Sequence, residues 1–427
     1  MLIRFYNVKT FVPEVGLTDA EVWVEDGKLR LVSCVTPLIW LPWDREIDGH
    51  GNLLLPTFKN AHAHSPMTFL RSWADDMALH DWLFRQVFPN EAKLTADDCY
   101  WMTKLAIAEY VSGGIGASAD MYFHLPAIAQ AGAECGFRQV ILEGITANNL
   151  DNLERILSDG MKQIDGMGDG RISYRLGLHA EYTNTEASIR AMGRFAQEAR
   201  MPVYAHVSET RKEVEECRAR YGKSPVQVLC DAGIFDYGGT AYHCVHVDET
   251  DMRLLAEHNV HVVSCPASNL KLASGIAPLE AMRKAGLQLG LGTDGAASNN
   301  ALDMFREMYL AATLSKAVTQ DAAAMPAQYV LDMATKGGAH AMGLTDCDIL
   351  RVGADADLML IDLQSANMRP HNDLIPNLVY AGGKHNVLLT MVAGKILYEK
   401  GEYFLGESYD RIVTECERIV RRIREEA

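Results

Sequence analysis

The residues with the most chemical potential lie in short words far apart in the chain. His62-Ala63-His64, His206-Val207-Ser208-Glu209, His243-Cys244-Val245-His246 and Gly292-Thr293-Asp294-Gly295 carry imidazoles and carboxylates. On a β-strand the i, i+2 spacing of His62 and His64 puts both rings on one face. Those two imidazoles, a third at His206 and the carboxylate of Asp294 make a three-nitrogen, one-oxygen set. Such a set suits one divalent ion, Zn2+ first and Fe2+ second, with a position left for water. Glu209 is placed to shuttle a proton between water, a ring nitrogen and a leaving group. It fits equally the first turn of a following helix, where acids complement the dipole. His243 and His246 cannot share one face of a regular strand. His243, directly after Thr240-Ala241-Tyr242, is the one expected to stabilise negative charge on an attacking oxygen.

These words make sense together only if several strands end at one place. Eight apolar strand candidates span residues 53–64, 115–122, 139–145, 172–180, 202–208, 240–247, 260–265 and 287–294, with helical patterns between most of them. Ser224-Pro225 reads as an N-cap followed by proline at the first helical position. The polar words fall at strand exits, where barrel enzymes keep their catalytic groups, and His179 ends the fourth candidate. No Gly-rich phosphate loop follows the first strand, which favours a closed barrel over a doubly wound sheet.

Both chain ends instead read as short strands. Val22-Trp23-Val24-Glu25 before Asp26-Gly27 is a hairpin signature, residues 356–362 form a short apolar run, and residues 388–396 form another broken at Ala393-Gly394. Residues 409–426 carry Ile412, Cys416, Ile419, Val420 and Ile423 at helical spacing. The expected architecture is α/β: a distorted (β/α)8 TIM barrel over residues 55–345, with a small β-sandwich domain and terminal helix from residues 1–54 and 346–427.

Composition narrows the function. The 427 residues are 48% hydrophobic and carry a net charge of −16. Nucleic acid and anionic membranes attract basic surfaces, so neither is expected as a partner. No apolar run reaches the roughly 18 residues of a membrane span, and residues 1–16 show no basic-then-apolar leader. Nine cysteines, scattered and without a C-x-x-C pair, read as free thiols of a cytoplasmic protein. Trp73 and Trp82 could stack on a planar ring of a ligand. Their helical spacing with Leu79, Leu83 and Phe84 fits ordinary packing as well, and Trp82 is the candidate substrate contact.

The order of these words resembles the amidohydrolase superfamily. Met67-Thr68-Phe69-Leu70-Arg71, Pro89-Asn90-Glu91-Ala92-Lys93-Leu94, Ala267-Ser268-Asn269-Leu270-Lys271-Leu272 and Gly295-Ala296-Ala297-Ser298-Asn299-Asn300 are similar to S-adenosylhomocysteine/methylthioadenosine deaminases and their chlorohydrolase relatives. The resemblance implies that His62, His64, His206 and Asp294 bind the metal and that Glu209, His243 and Asp294 serve catalysis. It implies that Glu91 holds ribose hydroxyls and that His179 contacts substrate. The implied reaction is hydrolytic deamination of adenosine, 5′-deoxyadenosine, methylthioadenosine or S-adenosylhomocysteine. The alternatives are deamination of a free purine, pyrimidine or pterin base, triazine dechlorination, or a non-catalytic assembly role. A homo-oligomer is implied too. Three words depart from the pattern: Ser264 stands where relatives carry histidine, His179-Ala180-Glu181-Tyr182 lacks the usual proline, and Glu143 stands where an arginine is expected.

Overall fold

The computed structural model describes residues 1–12, 14–35, 41–77 and 79–426, with the side chain of Leu79 also outside the description. Parts of the expected β domain (residue 13, residues 36–40 and residue 427), and the packing role read for Leu79, therefore lie outside the described residues.

The chain opens with β1 (Leu2–Val12), β2 (Gly16–Glu25), β3 (Lys28–Ser33) and β4 (Arg45–Pro56). In the β2–β3 hairpin Glu25 pairs with Lys28. Asp26 and Gly27 turn the chain at φ values of 49° and 83°, the left-handed pair a two-residue turn needs.

The chain then changes sheets. The run expected as one strand over residues 53–64 is two. Leu53–Pro56 closes β4 and pairs antiparallel with Leu358–Ile361, whereas β5 (Phe58–His64) begins the barrel. Pro56 has no N–H to extend a ladder, and the Thr57 N–H donates to Asp357 O at 3.0 Å.

From β5 the barrel runs through β6 (Ile115–Tyr122), β7 (Arg138–Glu143), β8 (Ile172–Ala180), β9 (Val203–Val207), β10 (Gly239–His243) and β11 (Val260–Ser264), each parallel to its neighbour. The last barrel strand is split into β12 (Leu289–Leu291), beside β11, and β13 (Asp294–Gly295), beside β5, so the ring closes. The split has a local cause. A Cβ at Gly292 would stand 2.7 Å from the backbone and Cβ of His62. In place of the ladder, Asn60 accepts the Thr293 N–H at 2.8 Å and donates to Thr293 Oγ1 at 2.7 Å. The strand expected over residues 240–247 stops at His243, because His243 and Cys244 turn into left-handed backbone at φ 67° and 47°.

Ala61, Ala117, Ala119, Met121, Val140, Leu142, Tyr204, Tyr242 and Val263 fill the barrel interior, so it is a packed core with its chemistry confined to one mouth. Helices cover the outside. Among them Pro225–Asp231 is capped by Ser224, with proline in its first turn as the sequence predicts.

The C-terminal part returns to the first sheet through β14 (Leu358–Ile361), β15 (Val387–Val392), β16 (Lys395–Glu399) and β17 (Glu402–Tyr403), giving an eight-stranded sheet ordered β17-β16-β15-β14-β4-β1-β2-β3. Both chain ends thus build one sheet with its own apolar cluster. At the barrel's opposite end a buried Arg138 ties the two sheets, donating to Asp357 at 2.9 Å and Asp355 at 2.8 Å. The final helix, Tyr409–Glu425, buries Ile412, Cys416, Ile419 and Ile423. No described helix is long and apolar enough to cross a membrane.

Candidate metal centre and active site

His62 and His64 leave the end of β5 on the same face, as their spacing requires. The ring of His62 lies 4.8 Å from that of His206, at the end of β9, and 4.9 Å from that of His64. Asp294 Oδ1 stands 3.5 Å from His62 Nε2 and 3.3 Å from His64 Nε2. Among the described residues, two groups of ligand atoms are close enough to hold an ion: His62, His64 and Asp294, and His62, His206 and His243.

The protonation pattern suits a cation. His64 Nδ1 donates to Met121 O at 2.5 Å, and His206 Nδ1 donates to His179 O at 2.6 Å. A carbonyl only accepts, so each Nδ1 carries a proton and each Nε2 is the atom left to face a cation; against the cost of burial, Asp294 holds the His64 imidazole up to about 9, a proton that a bound cation would displace. His62 is fully buried against the ring of Tyr242 at 3.8 Å, and neither of its ring nitrogens has a hydrogen-bond partner among the described residues. A buried imidazole without partners is costly in a metal-free protein and expected beside a cation. Burial and the neighbouring His64 hold His62 well below the ordinary histidine range, which keeps it neutral as a ligand must be.

Asp294 is oriented from behind. Ser268 Oγ and Ser298 Oγ both donate to its Oδ2, at 2.5 and 2.8 Å, leaving Oδ1 toward the imidazoles. Asp294 itself sits at φ 59°. The left-handed turn after the split strand therefore aims the carboxylate inward.

His243 is held by Asn269, whose Oδ1 lies 2.8 Å from His243 Nδ1. His246 is turned away and bonds Ser274 O at 2.7 Å. Glu209 reaches the same mouth from the turn after β9. Ser208 takes φ 53°, and Glu213 accepts the N–H groups of Ser208 at 2.8 Å and Glu209 at 2.7 Å. Burial pushes the Glu209 carboxyl up, which favours a proton-carrying role near neutrality.

His64, His206, Glu209, His243 and Asp294 open onto a cavity of about 290 Å³, with His62 behind them. Glu91 lines it too, accepting the Tyr122 O–H at 2.6 Å, and burial pushes its carboxyl up to about 7. Trp82 is buried on the same wall, on a helical segment that continues through Leu83 and Phe88 to Glu91. His179 also lines the wall and is lowered to about 4 by burial. Trp73 does not reach the cavity; it packs against the core under Arg424.

The sequence reading assigned no role to Ser268, Asn269, Ser298, Tyr122 or Glu213. The serines and Asn269 lay inside quoted words, but a hydroxyl aimed at a carboxylate 26 residues away has no local signature. Glu213 did have one: Thr210 and Glu213 form a capping box.

Comparison with known proteins fits this architecture. Residues 53–397 match the model of the Amidohydrolase family. A protein of Moorella thermoacetica named 5-methylthioadenosine/S-adenosylhomocysteine deaminase is 42% identical over 403 residues, covering 92% of this chain and 93% of its own. A Pelotomaculum thermopropionicum protein of the same name is 41% identical over 382 residues, covering 89% and 88%. The crystal structure of an adenosine deaminase from Xanthomonas campestris, described with bound zinc, superposes at a TM-score of 0.91 with 33% identity over 99% of this chain and 98% of that one. This chain belongs to the amidohydrolase family.

Proposed function

We propose that this protein is a metal-dependent hydrolytic deaminase of adenosine-type nucleosides. The observation that carries the reading is the convergence of His62, His64, His206 and Asp294 with Glu209 and His243 at one barrel mouth. The chain is also 41% and 42% identical to proteins named as deaminases of such nucleosides.

His62, His64, His206 and Asp294 would hold one divalent ion, and three nitrogens with one oxygen favour zinc. Bound there, the ion supplies a Lewis acid that brings the pKa of water toward neutrality. Asp294, with Oδ2 fixed by two serines, accepts the proton of the attacking water at Oδ1. Glu209 protonates the ring nitrogen beside the amino-bearing carbon and makes that carbon electrophilic. His243, held by Asn269, stabilises negative charge on the incoming oxygen. A C–O bond forms, the proton taken by Asp294 passes to the amino nitrogen, the C–N bond breaks and ammonia leaves, and the hydroxyl proton on the new C–O group returns to Glu209 as the carbonyl forms. Glu91 takes the ribose hydroxyls, Trp82 offers a face to the purine, and His179 completes the contact.

The nine cysteines are free thiols, which supports a reducing, cytoplasmic setting. Sheet membership supports a division into a barrel over residues 55–345 and a domain from the two chain ends, with the change of sheet falling between Pro56 and Phe58. A homo-oligomer belongs to the same reading and is checked by light scattering.

Ammonia release by the zinc-loaded protein decides the substrate class. Adenosine and its 5′-modified forms should turn over, and guanine, cytosine, pterins and triazines should not. Turnover of a free base with every nucleoside inert would refute the proposal.

A further inference from the structure

The cavity that receives substrate has a one-sided charge inventory. Four carboxylates line it: Glu91, Glu143, Glu209 and Asp294. Among the described residues no lysine or arginine does. The wall beyond the metal centre is apolar and aromatic, with Met67, Trp82, Leu83, Phe88, Phe123 and Leu272. Three of the four acids have assigned work. Glu143 has none. It sits at the exit of β7, half-buried, next to Gly144 and near Thr146 and Asn149 on the cavity wall. The carboxylate makes no hydrogen bond or ion pair with any described residue, and its surroundings act on it only through burial.

A neighbouring groove is built differently. Arg211, Lys212 and Lys271 line it, and it shares Leu83, Tyr182 and Leu272 with the first cavity. Its ammonium groups are engaged: Lys271 bonds Asp75 at 2.5 Å and Ala297 O at 3.1 Å, and Lys212 faces Glu216 at 3.7 Å. None of the three cations reaches the wall of the substrate cavity.

An anionic substituent brought into the cavity would give up its water and meet carboxylates without a compensating donor cation, which is the repulsive element of a selective site. A neutral thioether or methyl group would lie against the aromatic wall and gain from burial. Whichever way the nucleoside lies, the wall beyond the metal centre offers its 5′ substituent no lysine or arginine among the described residues.

We propose that the acid-lined cavity, without lysine or arginine beyond the metal centre and with Glu143 as its specificity-determining residue, selects adenosine nucleosides with a neutral apolar 5′ substituent and rejects those with a 5′ phosphate or an amino-acid carboxylate. This rests on the nucleoside reading above and narrows it. An ammonium on an amino-acid tail can meet Glu143, but the carboxylate of the same tail then lies unpaired.

The test is kcat/KM of the zinc enzyme for 5′-methylthioadenosine, adenosine 5′-monophosphate and S-adenosylhomocysteine. It is run at about pH 8, above the value of about 7 to which burial pushes Glu143. Methylthioadenosine should exceed both anionic substrates by about tenfold or more, the scale of one missing charged hydrogen bond. Equal or better turnover of either anionic substrate would overturn this proposal while leaving the deaminase reading intact. Inertness of all three alongside turnover of a free base would overturn both. The variant Glu143→Arg should raise the ratio of S-adenosylhomocysteine to methylthioadenosine by about tenfold, and Glu143→Gln should raise it less. Ratios unmoved in both variants would overturn the role of Glu143.

Discussion

Glu213 accepts the backbone N–H of Glu209 at 2.7 Å, so one buried carboxylate fixes the peptide that carries another. It takes the N–H of Ser208 as well and thereby holds the left-handed turn that swings Glu209 into the cavity. Its other hydrogen bonds among the described residues are with Thr210, so Glu213 bonds neither the imidazoles nor Asp294. Its removal should therefore disturb the position of Glu209 and leave the metal ligands in place. Glu213→Ala should lower kcat by about ten- to a hundredfold with little change in KM and full zinc content, and Glu213→Gln should recover part of the loss. Zinc loss in proportion to activity would show a general structural role instead.

Ser268 and Ser298 both donate to Asp294 Oδ2. Groups that orient metal ligands typically account for 10–100-fold in metal affinity or activity. Ser268→Ala should weaken zinc retention by about tenfold, measured by competition with a chelator, because Ser298 alone then steadies the carboxylate. The double alanine variant should lose more than either single one. Unchanged zinc affinity in the double variant would contradict the assigned role.

Glu307, on the helix Met304–Thr319, is fully buried. It joins the segment that positions His243 to the one that positions Asp294, accepting Ala267 N–H at 2.9 Å and Asn299 Nδ2 at 2.8 Å. Burial pushes its carboxyl up to about 8. A raised carboxyl means that the folded protein holds a proton the unfolded chain has released. Its contribution is intact below the unfolded value of about 4.5 and is lost progressively as pH rises toward about 8. Glu307→Gln, which mimics the protonated form, should be close to the parent in stability near the acid end of that window. At its alkaline end it should be more stable than the parent by a few kcal/mol. Thermal melts across the window check the sign, and a constant difference would contradict it.

Much of the site was legible because its signals are local. The His62 and His64 parity follows from a two-residue strand period, and the turns at Asp26-Gly27 and Ala393-Gly394 follow from the left-handed freedom of their glycines, at φ 83° and 77°. The terminal helix follows from its apolar spacing. Continuous apolar runs were less informative. Residues 53–64 read as one strand, because burial on both faces looks the same on either side of Pro56. Residues 287–294 concealed the Gly292 contact with His62, which only the closed ring creates. Ser268 and Asn269 act on Asp294 and His243, each 26 residues away, and no spacing rule reaches them; Ser298 is only four residues from Asp294, but it meets the carboxylate through an irregular turn that carries no periodic signal.

The central claim is one cation held by three imidazoles and one carboxylate. Anomalous scattering at the zinc edge from crystals of the loaded protein tests it most directly. A single strong peak should lie about 2.0–2.2 Å from the side-chain donors of His62, His64, His206 and Asp294, and Asp294→Asn should lose both the full peak and turnover. Deaminase activity from crystals with no peak at that mouth, or with the peak at other residues, would contradict the account.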